Sequence, residues 1–271
     1  MTPHSSLPWR MPHFIRVTLL LHAVMPVVLI IAPYSWPWVL AAFIANHLAL
    51  TAIGLWPRST WLGPNWTKLP PACAARGEIA LTIDDGPNPE VTPQVLDLLD
   101  RYGVKATFFC IGEQAARHPD LCRSIVERGH AVENHSQHHR HHFSLLGPKG
   151  FMREIRAGQE TLTAITGRRP RFFRAPAGLR NPFLGPVLAT LGLQLAAWTR
   201  RGFDTRTGDA GTVCRRLMRD LKPGSILLLH DGNCARTAAG DPVIVAVLPI
   251  LFEAAAAAGL RFITLPEALQ S

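Results

Sequence analysis

The clearest hydrophobic pattern in the chain is a pair of long apolar stretches near its start. Residues 14–32 carry no charge after Arg16, and residues 36–56 carry none at all. As helices, the two stretches would each be about 28–31 Å long, close to the hydrocarbon thickness of a bilayer. Between them lies a Pro-bounded turn with Tyr34, Trp36 and Trp38, aromatic residues that favour a lipid–water interface. The pattern predicts a transmembrane helical hairpin within residues 1–56.

A cleaved signal peptide is the alternative to this hairpin. No small-x-small cleavage site follows Ile31, and the apolar run resumes at once, which favours two retained helices. Arg10 and Arg16 precede the first stretch, the turn has no Lys or Arg, and basic residues follow the second stretch. Because positive flanks stay inside, we expect a multi-pass protein of the inner (cytoplasmic) membrane, with the rest of the chain in the cytoplasm.

Two histidines lie inside the apolar stretches, at similar distances from the turn. His22 lies thirteen residues before Ser35 and His47 twelve residues after it, so they should face each other at similar depth. Polar groups are costly in lipid unless they find partners. We therefore expect a hydrogen bond between the two rings, or from His22 to Asn46.

After the hairpin, the periodicity changes twice. Residues 57–77 are rich in Pro, Gly and Trp with no sustained period, which predicts a juxtamembrane linker. In residues 78–271, short apolar runs alternate with amphipathic helical ones. The predicted strands are residues 79–83, 106–111, 131–133, 171–173, 193–198, 226–229 and 261–264. The predicted helices are residues 93–102, 113–128, 149–166, 182–191, 210–221 and 243–258. This alternation predicts an α/β domain with a parallel sheet or barrel and helices outside.

Composition narrows the class of partner. The net charge of +9 favours phosphates or an anionic bilayer surface over basic proteins. No helix-turn-helix, zinc-finger or RNA-binding signature is present, so we expect no nucleic-acid partner. The five cysteines are odd in number and form no CxxC pair, which favours reduced thiols over a disulfide framework.

Polar residues gather where the predicted strands end. Directly or shortly after five strands come Asp84 and Asp85, His135, Arg174, Asp204, and His230 with Asp231. An Asp-Gly after a strand is usually a turn, and a single His is usually structural. Polar residues after five different strands are less easily explained as turns or structural residues, because the carboxyl ends of barrel strands form one mouth. We expect these side chains to converge there.

Three of these positions have the chemistry of a metal site. His135 and His139 are four residues apart, on one face of a helical turn, where two imidazoles can share one metal ion. Asp85 completes a His₂Asp set with an open position, typical of a catalytic metal centre. His138, His141 and His142 are expected on a solvated loop outside the site.

The chemistry-bearing residues lie in four short motifs. These are residues 81–87, residues 135–139, Arg174-Ala175-Pro176, and residues 228–231. In this order, over about residues 78–269, they resemble the polysaccharide deacetylases with a NodB homology domain, also called carbohydrate esterase family four. The resemblance implies a distorted (β/α) barrel, which agrees with the strand and helix alternation.

The resemblance also implies a role for each site residue. Asp84 would be the general base that activates the attacking water, and His230 the general acid that protonates the leaving amine. Arg174 would orient Asp84, and Asp204 would orient His230. The His₂Asp set would hold a divalent metal ion, commonly zinc.

The substrate pocket carries two departures from the family pattern. Trp198 and Leu228 would line the acetyl pocket, and Ala177 would offer its backbone N–H to the oxyanion. Many relatives have an aromatic residue at the position of Ala177. Arg200-Arg201-Gly202-Phe203 also occupies a region that is Asp-rich in the fuller family motif. Both departures affect substrate identity more than catalytic competence.

The expected function is metal-dependent removal of acetyl groups from an N-acetylated sugar. One alternative is hydrolysis of another non-peptide C–N bond on the same fold. A second is a non-catalytic module that binds a glycan or a lipid headgroup, although binding needs no acid–base pair. Arg215, Arg216 and Arg219 form either an ordinary solvated face or a surface for anionic lipid, worth ~1 kcal/mol per residue. The membrane hairpin favours the second, and with it a lipid-linked sugar as substrate.

Overall fold

The computed structural model describes residues 6–270, and two apolar helices form its N-terminal part. They are α1 (His13–Ile31) and α2 (Trp36–Gly54), joined by a 3₁₀ turn at Pro33–Ser35. Both are long and apolar enough to cross a membrane, and few of their side chains are buried. Ile30 and Ile31, for example, are 79% and 77% exposed. A core helix would bury such residues, so these two are not core helices of the following domain.

One side-chain hydrogen bond joins α1 to α2 within residues 6–270, and it differs from the prediction. The rings of His22 and His47 do lie together, with centroids 5.2 Å apart. Each ring, however, uses Nδ1 on a carbonyl of its own helix, at Thr18 and Phe43 respectively. The bond between helices runs instead from Thr18 Oγ1 to Asn46 Oδ1, at 3.1 Å. The predicted hydrogen bond from His22 is therefore wrong, because its Nδ1 bonds to the preceding turn of its own helix and Asn46 bonds to Thr18 instead.

The rest of the chain folds as alternating parallel strands and helices. The strands are β1 (Glu78–Asp84), β2 (Thr107–Cys110), β3 (Ala131–Asn134), β4 (Phe172–Phe173), β5 (Gln194–Leu195), β6 (Arg200–Arg201), β7 (Ile226–His230) and β8 (Arg261–Phe262). The helices are α3 (Pro71–Ala75), α4 (Thr92–Arg101), α5 (Gly112–Arg117), α6 (Pro119–Glu127), α7 (Pro148–Thr166), α8 (Leu184–Leu191), α9 (Ala210–Met218), α10 (Val243–Ala257) and α11 (Leu265–Ala268). The order across the curled sheet is β5-β4-β3-β2-β1-β7-β6, with β8 beside the start of β1.

One predicted helix is divided in the structure, and one predicted strand is shortened. The helix predicted over residues 113–128 becomes α5 and α6, because Pro119 has no N–H to continue a helix and starts a new one. The strand predicted over residues 193–198 pairs with β4 only at Gln194 and Leu195. The chain then crosses to β7, where Arg200 and Arg201 form β6.

Alternation along the central strands separates the apolar core from the functional face. Leu81 and Ile83 of β1 pack with Leu227 and Leu229 of β7 in the cluster beneath the outer helices. The intervening residues of both strands lie on the opposite face, towards the barrel interior. These are Thr82, Asp84, Leu228 and His230, and they occupy paired positions on the two strands.

Residues 57–77, predicted as a linker, are packed into the barrel. Trp66 donates its N–H to Leu195 O beside β5, and Leu69 donates to Gly224 O just before β7, both at 2.9 Å. Leu69 and Cys73 are buried in an apolar cluster together with residues of β1, β2, β4 and β7. We call residues 57–77 the seam segment, because it bridges the β5 side of the sheet to the start of β7. A bridge of two or three residues is too short to show a period in the sequence.

Leu69→Ala should lower the free energy of unfolding by about 2–4 kcal/mol, because it opens a cavity where the seam segment enters the core. The matched control is Leu145→Ala, whose side chain is 83% exposed and whose loss should change stability by no more than about 0.5 kcal/mol. Thermal unfolding of both full-length variants measures the difference. Equal midpoints would show that the seam segment is not part of the cooperative fold.

Candidate active site

A buried ion pair lies at the end of β1. Arg174, 1% exposed, donates from Nη1 to Asp84 Oδ1 at 2.6 Å and to Thr82 Oγ1 at 2.8 Å. Its Nε and Nη2 donate to the carbonyls of Ala196 and Ala197. Burial lowers the pKa of Arg174, and the charge of Asp84 opposes that effect. Every nitrogen of the guanidinium has a partner, as a buried charge requires, so the Asp84 carboxylate is held in one orientation.

Asp85, His135 and His139 come together beside this pair. Asp85 Oδ1 lies 3.2 Å from His135 Nε2 and 3.3 Å from His139 Nε2. Each of the three residues has a potential ligand atom, and these three atoms lie within 4.8 Å of one another. His135 donates from Nδ1 to Arg174 O at 2.8 Å, which leaves Nε2 directed at Asp85, the arrangement common to metal-binding histidines.

The loop that carries the two histidines is not the helical turn predicted from their spacing. Ser136 and His139 have positive φ values of 68° and 49°. Asn134 Oδ1 accepts from Ser136 N, and Ser136 Oγ accepts from His139 N. These local hydrogen bonds stabilise a left-handed bend that a helix would not allow. The histidines converge through this bend instead.

The protonation states of His139 and Asp85 suit a metal ion. Burial, with the charge of His135, lowers the pKa of His139 to about 4, so its imidazole is neutral at pH 7. Burial acts to raise the pKa of Asp85, but the hydrogen bond and charge of His135 outweigh it and lower that pKa. His139 Nε2 is a buried nitrogen with no hydrogen-bond partner in the described part of the chain. A carboxylate and two imidazoles, one with an unpartnered nitrogen, match the donors that zinc prefers.

A histidine–aspartate pair ends β7, on the opposite side of Asp84 from β2. His230 is the paired residue of Asp84 on the neighbouring strand. Asp204, fully buried, accepts at Oδ1 from His230 Nδ1 at 3.0 Å and at Oδ2 from His230 N at 2.7 Å. Burial acts to lower the pKa of His230, but the hydrogen bond and charge of Asp204 outweigh it and raise the pKa. Nε2 is therefore the nitrogen available for proton transfer.

A small apolar pocket adjoins these groups. Ala197, Trp198 and Leu228 form a separate buried cluster on the interior face of the sheet. The turn after Arg174 packs against it. Ala177 lies exposed in this turn with a positive φ of 54°, and Gly178 follows at 74°. A Cβ on Gly178 would lie 2.6 Å from the Trp198 ring, so glycine is needed at this close approach.

Asp231 lies with the other strand-end side chains, as expected, but the sequence gives it no role in the site. It is 1% exposed, its Oδ2 accepts from Thr92 Oγ1 at 2.5 Å, and burial raises its pKa to about 7. A Cβ on Gly86 would lie 2.4 Å from both of its carboxylate oxygens, which explains the glycine after Asp85. Its position next to His230 was the available signal.

The ten predicted site residues all lie at or near the carboxyl ends of the strands. Asp84, Asp85, His135, His139 and Arg174 are in direct contact, and His230 with Asp204 adjoins them. Trp198, Leu228 and Ala177 lie around the pocket. His138, predicted outside the site, contacts Glu154 with its ring about 3.1 Å away.

Comparisons with known proteins agree with this fold and site. Residues 72–196 match the family described as polysaccharide deacetylase. A peptidoglycan-N-acetylglucosamine deacetylase of Bacillus cereus is 32% identical over 213 residues, which cover 78% of this chain and 92% of that protein. A chitooligosaccharide deacetylase of Sinorhizobium fredii is 36% identical over 155 residues, or 57% of this chain and 72% of that protein.

Solved structures share the fold. A peptidoglycan N-acetylglucosamine deacetylase, in complex with a naphthalenyl N-oxidanyl-benzamide, superposes with a TM-score of 0.69 and 28% identity, over 76% of this chain and 93% of that one. A family 4 carbohydrate esterase from Streptomyces lividans, in complex with acetate, gives 0.63 and 31%, over 69% and 91%. The predicted NodB-type α/β fold is confirmed. The chain belongs to the polysaccharide deacetylase family.

Proposed function

We propose that this protein is a metal-dependent hydrolase that removes acetyl groups from an N-acetylated sugar. The observation that carries the proposal is the adjacency of three groups at the barrel mouth. The His₂Asp cluster, the Asp84–His230 pair on neighbouring strands and the apolar pocket at Trp198 are all within the same few strand ends. A binding module would need the pocket but neither of the other two.

Asp85, His135 and His139 would hold the metal ion. The identity we propose is zinc, because two imidazoles and one carboxylate are a common ligand set for catalytic zinc. A bound divalent ion supplies a Lewis acid that polarises the acetamide carbonyl and stabilises the negative charge that develops on its oxygen.

Asp84 would act as the general base. Arg174 holds its Oδ1 at 2.6 Å, and Oδ2 lies 3.8 Å from His135 Nε2, on the side of the metal cluster. The carboxylate would take a proton from the attacking water as its oxygen bonds to the acetyl carbon. Arg174 keeps the carboxylate oriented for this transfer.

His230 would act as the general acid. An amine is a poor leaving group unless it receives a proton as the C–N bond breaks. Asp204 binds Nδ1, which leaves the Nε2 proton for the sugar nitrogen. The products are acetate and a free amino sugar. Trp198 and Leu228 would enclose the acetyl methyl group, and the N–H of Ala177 would add a donor at the oxyanion.

The sugar is the part of the proposal that rests on relatives. The names of the B. cereus and S. fredii proteins describe deacetylation of N-acetylglucosamine in peptidoglycan and of chitooligosaccharides. An N-acetylhexosamine is therefore the proposed substrate class. Hydrolysis of another non-peptide C–N bond remains the second candidate, since Ala177 supplies no aromatic wall for a sugar ring.

The substrate is further proposed to be carried on a membrane lipid. The chain that leaves α2 packs beside the pocket wall: Arg58 Nη1 donates to Thr199 O at 3.1 Å, one residue after Trp198. A Cβ on Gly178 would lie 2.6 Å from Pro57 as well as from Trp198. The pocket thus adjoins the end of the apolar hairpin. Exposed basic residues in and just after α9 would attract anionic lipid. The side chains of Arg215 and Arg219 are 74% and 79% exposed.

Acetate release by the purified full-length protein tests the activity. N-acetylglucosamine oligomers and a lipid-linked N-acetylglucosamine should both release acetate, with the lipid-linked form faster. Treatment with a chelator should abolish release, and added zinc should restore it. Release of ammonia or urea from other C–N substrates, without acetate release, would favour the second candidate.

The metal ligands and the base should separate in mutational tests. Asp85→Ala, His135→Ala and His139→Ala should each lose bound metal and activity together. Asp84→Asn should retain the metal and lose about 10²–10⁴-fold in kcat, because a base has been removed rather than a ligand. Elemental analysis of the purified variants measures the metal. Stoichiometric metal in Asp85→Ala would contradict the ligand assignment.

Asp204→Asn should shift the alkaline limb of the pH–rate profile to lower pH. His230 acts while protonated, so activity falls as the pH rises through its pKa. The hydrogen bond and charge of Asp204 raise that pKa, so loss of the Asp204 charge should move the limb to lower pH. Asp209→Asn is the control, since Asp209 is an exposed cap of α9. A limb that stays in place while the rate falls would argue that Asp204 only stabilises the fold.

Membrane orientation is open to a labelling test. We propose a multi-pass protein of the inner membrane with a cytoplasmic catalytic domain. Tyr34→Cys, in the turn and 85% exposed, should react with an impermeant maleimide from outside intact spheroplasts. Leu145→Cys, on the catalytic domain, should react only after lysis. Four native cysteines are buried and Cys234 is half-buried, so the unaltered chain gives the background. Labelling of Leu145→Cys from outside would overturn the cytoplasmic orientation.

A further inference from the structure

An arginine without a counter-charge borders the candidate acetyl pocket. Arg201 of β6 is the paired residue of Leu228 on β7, and Leu228 is the paired residue of Thr82 on β1. Paired residues of neighbouring strands place their side chains on the same face of a sheet. Thr82 contacts Arg174 and Leu228 belongs to the pocket cluster, so this is the functional face. Arg201 therefore lies on that face, at the β6 end of the sheet.

The preceding residue has the opposite environment. Arg200 is paired with Leu227, which packs under the outer helices. On that side its Nη2 lies 2.6 Å from Asp220 Oδ2. Arg201, in contrast, makes no ion pair within 4.0 Å of any carboxylate in residues 6–270. The Nε of each of the two arginines is buried and has no hydrogen-bond partner there, so the ion pair is what distinguishes them. Two adjacent arginines thus differ: the outer one is neutralised and the inner one is not.

Aromatic rings hold Arg201 in position. Its Cζ lies 5.6 Å from the Trp198 ring centroid and 5.1 Å from that of Phe203. Arg216 contacts the same Phe203 ring at 5.5 Å. Stacking on aromatic faces fixes a guanidinium plane but leaves its charge and its in-plane donors available.

The surroundings of Arg201 add positive charge rather than cancel it. Arg174 contacts the Trp198 ring too, with its Cζ 5.9 Å from the centroid. Burial, and then the charge of Arg201, lower the pKa of Arg174. Asp84 neutralises Arg174, so Arg201 is left as an unneutralised cation on this side of the pocket. An anion from outside the chain would supply the counter-charge that Arg201 lacks. A planar guanidinium suits the bidentate binding of phosphate or carboxylate.

We propose that Arg201 binds an anionic group on the substrate and so selects acetylated sugars that carry a phosphate or a carboxylate near the acetamide. This inference rests on the proposed function and adds the charge class of its substrate. The opposing interpretation is structural: Arg201 would only support the Trp198 wall of the pocket. That role predicts equal losses for charged and neutral substrates when Arg201 is changed.

The test compares three probes that share one acetamido group. They are N-acetylglucosamine, N-acetylglucosamine 1-phosphate and N-acetylmuramic acid, so that the latter two distinguish phosphate from carboxylate. The measured quantity is the ratio of kcat/KM for acetate release, anionic over neutral, with the full-length protein. We expect a ratio of about 10–100 for at least one anion, falling towards one in Arg201→Met and partly retained in Arg201→Lys. The preference should weaken with added salt.

Arg200→Met is the matched control, one residue away and on the outer face, and it should leave the ratio unchanged. A ratio that survives in Arg201→Met, or a loss equal for all three probes, overturns the proposal. Calorimetric binding of N-acetylglucosamine 1-phosphate provides a readout that needs no turnover. Binding that Arg201→Met weakens at least tenfold supports anion recognition even if no probe is hydrolysed, in which case only the deacetylase proposal fails. Binding equal in the two proteins, or absent from both, overturns the Arg201 assignment.

Discussion

The ion pair between Arg174 and Asp84 is the interaction on which the rest of the site depends. The guanidinium of Arg174 joins β1 to the segment between β5 and β6. The backbone carbonyl of Arg174 accepts a hydrogen bond from Nδ1 of His135. Arg174 therefore sets the direction of the candidate base and the orientation of a candidate ligand. A buried charge is tolerated only when all its donors have partners. In the curled sheet, the carbonyls of Ala196 and Ala197 lie where they accept the remaining hydrogen bonds of Arg174. Loss of either partner would leave the other charge unpaired in the core, a cost of about 3–5 kcal/mol.

Much of the fold could be predicted from the sequence, because strand and helix periods are strong signals in an α/β domain. The convergence of Asp84, Asp85, His135 and His230 followed from one property, that parallel strands end on one side. Positions that depend on tertiary contact were harder to predict. Asp231 has no period and no spacing rule, and its importance comes from burial beside Asp85. The sequence predicts a linker over the seam segment because its few bridging residues pair with strands far along the chain. Such pairing leaves no periodic pattern in the local sequence.

The left-handed bend of the histidine loop shows the limit of spacing arguments. His135 and His139 were expected to share a face because four residues make about one helical turn. In the structure, left-handed backbone conformations at Ser136 and His139 bend the loop so that the two imidazoles come together. Asp85, which contacts both, also has a positive φ of 76°. Strained backbone at two of three candidate ligands persists only where the surrounding hydrogen bonds over-determine it. The sequence contains the residues that make those bonds, Asn134 and Ser136, but no pattern marks them as such.

The seam segment has a consequence for how the protein would meet its substrate. It runs from the end of α2, past the pocket wall at Gly178, to the amino-terminal end of β7 at Gly224. With the hairpin in a bilayer, the contacts of the seam segment would fix the barrel relative to the hairpin, where a flexible linker would let it move. The mouth would then keep a constant height and angle relative to the headgroups. Encounter with a lipid-borne sugar would become a search in two dimensions, governed by lateral diffusion and by surface density rather than by bulk concentration.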